Sequence, residues 1–149
     1  MNPLHKPSDK ATLLAKLDPV SQGVATVLTS WVKASNYHQI LAELMVGVLG
    51  AAATVDAKLR QATSDAGAGA KDITGAAITQ LTKAGADDSK VVNINLDPNK
   101  LDVAGGFHYV ALSVTVGTAA CLIAATVKGF EAREGIAAHI AAMDEVVSV

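Results

Sequence analysis

The stretch Phe107–Phe130 reads FHYVALSVTVGTAACLIAATVKGF and has the pattern of two β-strands. In its first half, large apolar side chains alternate with smaller or polar ones, the period of two that places neighbours on opposite faces of a strand. The apolar set is Val110, Leu112, Val114 and Val116. Gly117 and Thr118 interrupt the run, and a second apolar run starts at Cys121. The stretch predicts two antiparallel strands joined by a tight turn at Gly117-Thr118, with a buried, unpaired Cys121 opposite Val114.

A second hairpin is predicted within Tyr37–Gln61, where Gly50-Ala51 suits a type II′ loop. Counting outward from that loop places apolar residues opposite each other and Glu43 opposite Lys58. The apolar pairs are Val48 with Ala53, Val46 with Val55, Leu44 with Ala57, and Ala42 with Leu59. A slip of one residue would lose both matches. We therefore predict that Glu43 and Lys58 are cross-strand neighbours.

Shorter segments extend the β pattern. Residues 23–33 and 91–97 alternate, and Pro98 is expected to end the second run in a single turn of helix. Residues 62–85 are rich in Gly, Asp, Ser and Thr, which indicates a long excursion of turns. Within this excursion, Ile78–Thr82 fits either a short helix or a short strand.

The two ends of the chain depart from this pattern. Ser8 is a candidate cap for a short helix over Asp9–Leu17, and four apolar residues after Arg133 recur at helical spacing. We predict an N-terminal arm (1–22), a β-sandwich domain (23–133) and a C-terminal arm or short helix (134–149). The candidate interaction residues on these arms are Leu13, Leu14, Leu17, Ile136, Ile140, Met143 and Val147.

Composition excludes several classes of protein. Half of the residues are apolar but only 3% are aromatic, so alanine and valine are expected to fill thin layers. The formal charge of −2 and the lack of a basic run argue against nucleic-acid binding. The sequence has no run of about eighteen apolar residues, so no transmembrane helix is predicted. Residues 1–16 lack the apolar core of a secretory signal. A single cysteine allows no internal disulfide and suggests synthesis in a reducing cytosol.

Residues with chemical potential do not form a recognisable catalytic or metal site. The glycines before Lys71 lack the spacing of a phosphate-binding loop, and Asp72 would repel phosphate. The four histidines are isolated in sequence, and Asp56, Asp87 and Asp88 do not have the spacing of a calcium loop. We predict a protein without enzymatic activity, cofactor or metal.

Four segments together carry a family resemblance. They are YHQIL through GVLGA (37–51), ATVDAKL (53–59), the loop from Gln61 to Gly75, and LDV with GGF (101–107). This pattern resembles small structural proteins of tailed bacteriophages and prophages, over roughly Trp31–Arg133. The resemblance implies a virion component that is made in the bacterial host cytoplasm and binds the major capsid protein. It also implies assembly at three-fold capsid positions, hence a trimer as the first choice.

Taken together, the sequence predicts a mainly β protein with one antiparallel sandwich or jelly-roll-like domain of about seven or eight strands. The predicted function is a minor capsid or decoration protein, with a head–tail connector or tail component as the alternative. An alternative from another class is a module that binds a sugar or host surface, which should show clustered exposed aromatics or a calcium site. Ile40–Leu49 is apolar on both faces except at Glu43, which predicts self-association into a homo-oligomer.

Overall fold

The computed structural model describes residues 6–134 and 143–147 and shows two antiparallel β-sheets packed face to face. Within these residues, short 3-10 turns lie at Pro7–Asp9, Ala34–Asn36 and Pro98–Lys100. The strands are β1 Ala11–Gln22, β2 Ala25–Leu28, β3 Val32–Lys33, β4 Tyr37–Leu49, β5 Thr54–Ala62, β6 Lys71–Ala77, β7 Leu81–Thr82, β8 Val91–Leu96, β9 Tyr109–Gly117 and β10 Cys121–Ala132. No helix in the described ranges is long and apolar enough to cross a membrane.

The strands pair in a nested order. Sheet A has four strands in the order β1-β10-β4-β8, and sheet B has six, ordered β2-β9-β5-β6 with β3 on β9 and β7 on β5. The first strand therefore pairs with the last, β2 and β3 pair with β9, β4 pairs with β8, and β5 pairs with β6 and β7. Two Greek keys wound in this way make a jelly roll. The predicted mainly β, jelly-roll-like sandwich is confirmed.

The core lies between the two sheets and is built from aliphatic side chains. The largest fully buried ones are Ile40, Leu44, Leu49, Leu59, Leu112, Val55, Val110, Val114, Val116 and Val127. The ring of Tyr37 packs against Gly129, where a Cβ would come within 2.5 Å of it. Each large aliphatic side chain buried in this way contributes about 1.5–3 kcal/mol to stability. The predicted alternation of Val110 to Val116 therefore identifies inward-facing positions correctly.

The predicted hairpin at Gly50-Ala51 is wrong, because β4 belongs to sheet A and β5 to sheet B. The chain turns from one sheet to the other at Gly50, whose carbonyl accepts a hydrogen bond from the N–H of Ala53 at 3.0 Å. Glu43 lies opposite Thr126 and Asn93, and Lys58 lies opposite Ser113. The predicted Glu43–Lys58 neighbourhood is therefore also wrong. Apolar residues that face each other across a sandwich satisfy the same alternation as apolar residues paired within a hairpin.

The hairpin predicted at Gly117-Thr118 is wrong for the same reason. The turn at these residues connects β9 of sheet B to β10 of sheet A, so Cys121 pairs with Leu49 and Gln22 and not with Val114. Cys121 is nevertheless buried, with 1% of its surface exposed, and free, as predicted. The two sheet-to-sheet turns lie side by side, because the N–H of Gly50 donates to the carbonyl of Ala120 at 3.0 Å.

The helix predicted over Asp9–Leu17 is wrong, because Asp9 ends the 3-10 turn Pro7–Asp9 and residues 11–17 belong to β1, which pairs with β10. The register shifts between Leu13 and Ala15 and again between Leu17 and Val20. Each shift breaks the two-residue alternation, so the leucines fall at intervals that resemble helical spacing. Part of the proposed N-terminal arm is therefore an edge strand of the sandwich.

Other segments decide further predictions. The strand predicted over residues 23–33 is divided into β2 and β3, with residues 29–31 between them. The strand over 91–97 and the turn of helix at Pro98 are confirmed as β8 and the 3-10 turn Pro98–Lys100. The excursion at 62–85 contains β6 and β7, and β7 settles the open choice at Leu81–Thr82 in favour of a strand. Ile136 and Ile140 of the C-terminal stripe lie outside the described residues.

Candidate assembly surface

The outer face of sheet B is polar and internally satisfied. Lys58 and Arg60 on β5 donate to the two carboxylate oxygens of Asp72 on β6, at 2.6 and 3.0 Å. The hydrogen bond from Lys58 is the main reason that the pKa of Asp72 is lowered from its usual value. Lys58 and Arg60 pair with Ser113 and Ala111 of β9, both of which are buried. Two further polar pairs lie on this face: Thr26 with Thr115 at 2.8 Å and Gln80 with Asp56 at 2.7 Å.

The outer face of sheet A carries more large apolar side chains, interspersed with polar ones. Its side chains alternate with the buried ones along each strand, so their direction follows from the register. The large apolar residues on this face are Leu13, Leu41, Met45, Val91, Leu122 and Phe130. Met45 and Leu122 are each 47% exposed and Val91 is 57% exposed. Water therefore meets more large apolar side chains on sheet A than on sheet B.

A polar row divides the outer face of sheet A into two apolar patches. Strand pairing places Lys16, Thr126, Glu43 and Asn93 next to one another across all four strands. The hydroxyl oxygen of Thr126 is buried and has no hydrogen-bond partner among the described residues. A buried hydroxyl without a partner costs about 1–3 kcal/mol. One polar group at the centre of this face therefore lacks a hydrogen-bond partner among the described residues.

The first apolar patch forms a groove of about 810 Å3 together with the C-terminal segment. Its lining includes Leu13 and Phe130 from sheet A and Met143, Val146 and Val147 from the tail. The structure thus brings together three residues predicted as an interaction set, Leu13, Met143 and Val147.

The other two leucines predicted as interaction residues have a different place. Leu14 and Leu17 are partly buried and pack against the core between the sheets. Both lie on β1, whose shifts in register turn successive leucines in different directions. Of the three N-terminal candidates, Leu13 is therefore the one that the outer face of sheet A presents in its groove.

The second patch lies at the opposite end of the same face. A groove of about 450 Å3 is lined by Val20, Met45, Gly47 and Leu122, among others. Leu122 packs directly on Gly47, where an added Cβ would be 3.0 Å from the Leu122 Cβ. These residues were not among the sequence-predicted interaction residues. The signal that points to them is the double-sided apolar pattern of Ile40–Leu49, because one of its two faces must turn away from the core.

Lys71, which follows the glycines considered as a phosphate-binding loop, contacts other side chains of the protein. The Nζ of Lys71 donates to Asp102 at 2.6 Å and lies 4.0 Å from the centre of the Phe107 ring. This hydrogen bond, followed by one from the N–H of Gly105, lowers the pKa of Asp102. Lys71 is therefore already paired with a carboxylate. Within residues 6–134 and 143–147, no three His, Cys, Asp or Glu side chains are grouped in a way that could hold a metal ion.

Comparison with known proteins gives no match to a family model and no match among curated proteins. Among solved structures, an empty virus-like particle of cowpea mosaic virus, studied by electron cryo-microscopy, contains a similar chain. It is 14% identical with a TM-score of 0.45, and the match covers 88% of this chain and 85% of that one. A chain of the naturally occurring empty particles of cowpea mosaic virus is 15% identical with a TM-score of 0.42, over 82% and 84% of the two chains. TM-scores below 0.5 carry no argument about function, and the jelly-roll assignment rests on the strand order.

Proposed function

We propose that this chain is a non-enzymatic virion structural protein that assembles through the outer face of sheet A. The observation that carries the proposal is the contrast between the two outer faces. A sheet with one solvated face normally alternates apolar inward and polar outward side chains, as sheet B does. Sheet A instead presents Met45, Val91 and Leu122 about half exposed on neighbouring strands. Large contiguous apolar patches of this kind are typical of contact surfaces.

The fold and the sequence resemblance support the same class of function. Viral capsid domains, lectins and cupins share the jelly roll, so the fold alone does not choose among them. The resemblance of Trp31–Arg133 to small structural proteins of tailed phages favours a virion component. Within that class we propose a minor capsid or decoration protein that binds the major capsid protein as a trimer. A head–tail connector or tail component is the alternative within the same class.

The ligand-binding alternative has less support from the described residues. A sugar-binding module needs aromatic rings grouped on one exposed surface, because the rings stack on the sugar. Here Tyr37 lies in the core, Trp31 packs against Gly67, and Phe107 lies beneath Lys71. Each of these three rings is already packed against other residues of the chain, although Trp31 and Phe107 both lie beside the loop that contains Gly67 and Gly69.

The direct test of the proposal is the composition of purified particles from the producing culture. Quantitative mass spectrometry should find this chain in every preparation. A decoration protein should be present on the order of hundreds of copies per particle, whereas a ring at the tail vertex has about six or twelve copies by its symmetry. Particles that lack the chain altogether would overturn the virion assignment.

A second test addresses the surface. Met45→Glu combined with Leu122→Glu places two charges in the apolar face and should abolish self-association and particle binding. The matched control is Val103→Glu, because Val103 is 51% exposed but lies in the loop before β9. Light scattering at tens of micromolar measures the mass in each case. Equal association of the double variant and the control would show that sheet A is not the contact surface.

A further inference from the structure

The groove at the first apolar patch has an apolar floor and a basic rim. Leu13 and Phe130 form part of the floor, and Lys6 and Lys128 also line the groove. Lys16 lies in the adjoining polar row, next to Thr126. Two lysines therefore line an apolar depression, and a third lies beside it in an ion pair with Asp18 at 2.6 Å, on a chain whose formal net charge is −2. Such a site is suited to a short peptide that combines apolar and acidic side chains.

The C-terminal segment has this composition. Residues 143–147 read Met-Asp-Glu-Val-Val. Met143, Val146 and Val147 line the groove, and so does Glu145, together with Lys6 and Lys128. The hydrogen bond to Asp18 is the main cause of the raised pKa of Lys16, and the negative charge of Asp144 adds to it. Both the apolar and the acidic side chains of the segment thus have complementary neighbours around the groove.

The C-terminal segment, residues 143–147, is only partly buried against its own chain. Met143 remains 45% exposed and Val147 77% exposed, although both are large apolar side chains next to an apolar floor. The hydroxyl of Thr126, which also lines the groove, still lacks a hydrogen-bond partner among the described residues. The intramolecular contact therefore leaves apolar surface wet and a polar group unsatisfied. The corresponding segment of a second copy can cover the apolar surface that remains wet.

We infer that this groove is the docking site for the C-terminal segment of a second copy of the chain. The same side chains form the contact within a chain or between chains, and exchange of an identical element is a low-cost route to an oligomer. The inference names the partner of the assembly surface and so rests on the proposed function. In the assembly, Asp144 and Glu145 of one copy meet the lysine rim of the next, and their apolar neighbours cover its Leu13 and Phe130.

A charge-exchange experiment on the full chain separates docking between chains from docking within one. The groove variant is Lys16→Glu with Lys128→Glu, and the tail variant is Asp144→Lys with Glu145→Lys. Each variant alone should have a lower oligomeric mass by light scattering, because like charges now meet. An equimolar mixture should form a larger mixed species, because the lysine tail of one variant fits the glutamate groove of the other. A mixture with the same masses as its separate components would overturn docking between chains.

Two controls keep this result interpretable. The chain that carries all four substitutions has complementary charges again and should regain the wild-type mass, which shows that the substitutions are tolerated. Lys33→Glu with Lys100→Glu makes the same change of charge away from the groove, on β3 and on the turn after β8. Its mass should match that of the wild type. Loss of assembly in this control would assign the effect to net charge and overturn the role of the groove.

A binding measurement tests the groove directly. A labelled peptide of residues 143–147 should bind the wild-type full chain saturably. The groove variant replaces two attractive charges with repulsive ones, so binding of the peptide should weaken about tenfold. Equal affinity for wild type and groove variant would overturn the inference. The two proposals fail separately, since peptide binding can persist in a chain absent from particles, and a particle component can lack peptide binding.

Discussion

The substitution Gly50→Ala tests the point at which the two sheet-to-sheet turns meet. The N–H of Gly50 donates to the carbonyl oxygen of Ala120 at 3.0 Å. A Cβ added at Gly50 would come within 2.6 Å of that oxygen and 2.8 Å of the Cβ of Ala119. The nearer atom belongs to the backbone and cannot rotate away as a side chain can. The two turns must therefore move apart to accommodate the methyl group.

The size of the effect follows from two opposing contributions. Overpacking that displaces the backbone costs about 1–3 kcal/mol. Replacing glycine by alanine also restricts the unfolded chain, which returns about 0.4–1 kcal/mol where the native conformation allows it. The expected net loss is about 1–2 kcal/mol in the free energy of unfolding. For a domain of this size, that lowers the melting temperature by about 2–8 °C.

Urea denaturation measures this loss, with Gly23→Ala as the matched control. An added Cβ at Gly23 meets nothing within 4 Å, so that variant should be neutral or slightly more stable. Ala119→Gly in the Gly50→Ala background should recover part of the loss, because it removes one of the two close contacts. Residues without shared contacts are usually additive within about 0.3–0.5 kcal/mol. Simple additivity of the two substitutions would refute the juxtaposition of the turns.

Three further substitutions or reagents test other parts of the fold. Leu59→Ala removes a fully buried side chain between the sheets and should cost about 2–5 kcal/mol in urea unfolding. Asp88 accepts hydrogen bonds from Lys83 and from the N–H of Leu49, which lower its pKa. Its stabilisation should be present above the unfolded pKa of about 3.9 and be lost as pH falls through the lower folded value. Asp88→Asn should therefore be less stable near pH 7 and show a smaller loss at acid pH; an unchanged pH profile would contradict this. The thiol of Cys121 should react with a thiol reagent only after unfolding, and rapid labelling of the native chain would show that it is accessible.

The alternation of side chains predicts which residues face inward but not which strands pair. Leu44, Val46, Val55 and Leu59 are all buried, as their pattern indicates. In a hairpin these residues would be neighbours along one sheet, whereas here they face each other from two sheets. Both arrangements bury the same side chains, so hydrophobic pattern cannot separate them. The decisive information lies in the turn, where Ala52 has a φ of 58° and Gly50 approaches the neighbouring turn.

The match of Glu43 with Lys58 misled the prediction for a related reason. Both side chains point away from the core, which is why they occupy the polar positions of their strands. One lies on the outside of sheet A and the other on the outside of sheet B, where Lys58 bonds to Asp72. When strands of two different sheets are treated as one sheet, a register count places outward charges from both sheets on the same face. Opposite charge is therefore weak evidence for pairing when each residue alone is expected to be outside.

The proposed contact surface was predictable only in part, because its residues come from strands that are far apart in the sequence. Leu13 and Leu122 lie more than a hundred positions apart in the sequence, and the jelly-roll order brings their strands together. Sequence alone marks Ile40–Leu49 as apolar on both faces, and this is the true source of Leu41 and Met45 on the outside. The sequence does not show that Leu122 and Phe130 belong to the same face, because their strand was predicted to pair with the wrong neighbour.

The strand order of the jelly roll determines where the many apolar side chains of the chain lie. Ion pairs occupy part of the outer face of sheet B, so the apolar side chains outside the core are not spread evenly over the surface. The inner faces are already filled, with Val55, Leu59 and Val110 fully buried. Several of the exposed large apolar side chains, including Met45, Val91 and Leu122, lie on the outside of sheet A, whose first groove is also lined by acidic and apolar residues of the tail. Exposed apolar side chains grouped on one sheet face are suited to assembly through a defined surface, which is the arrangement we propose.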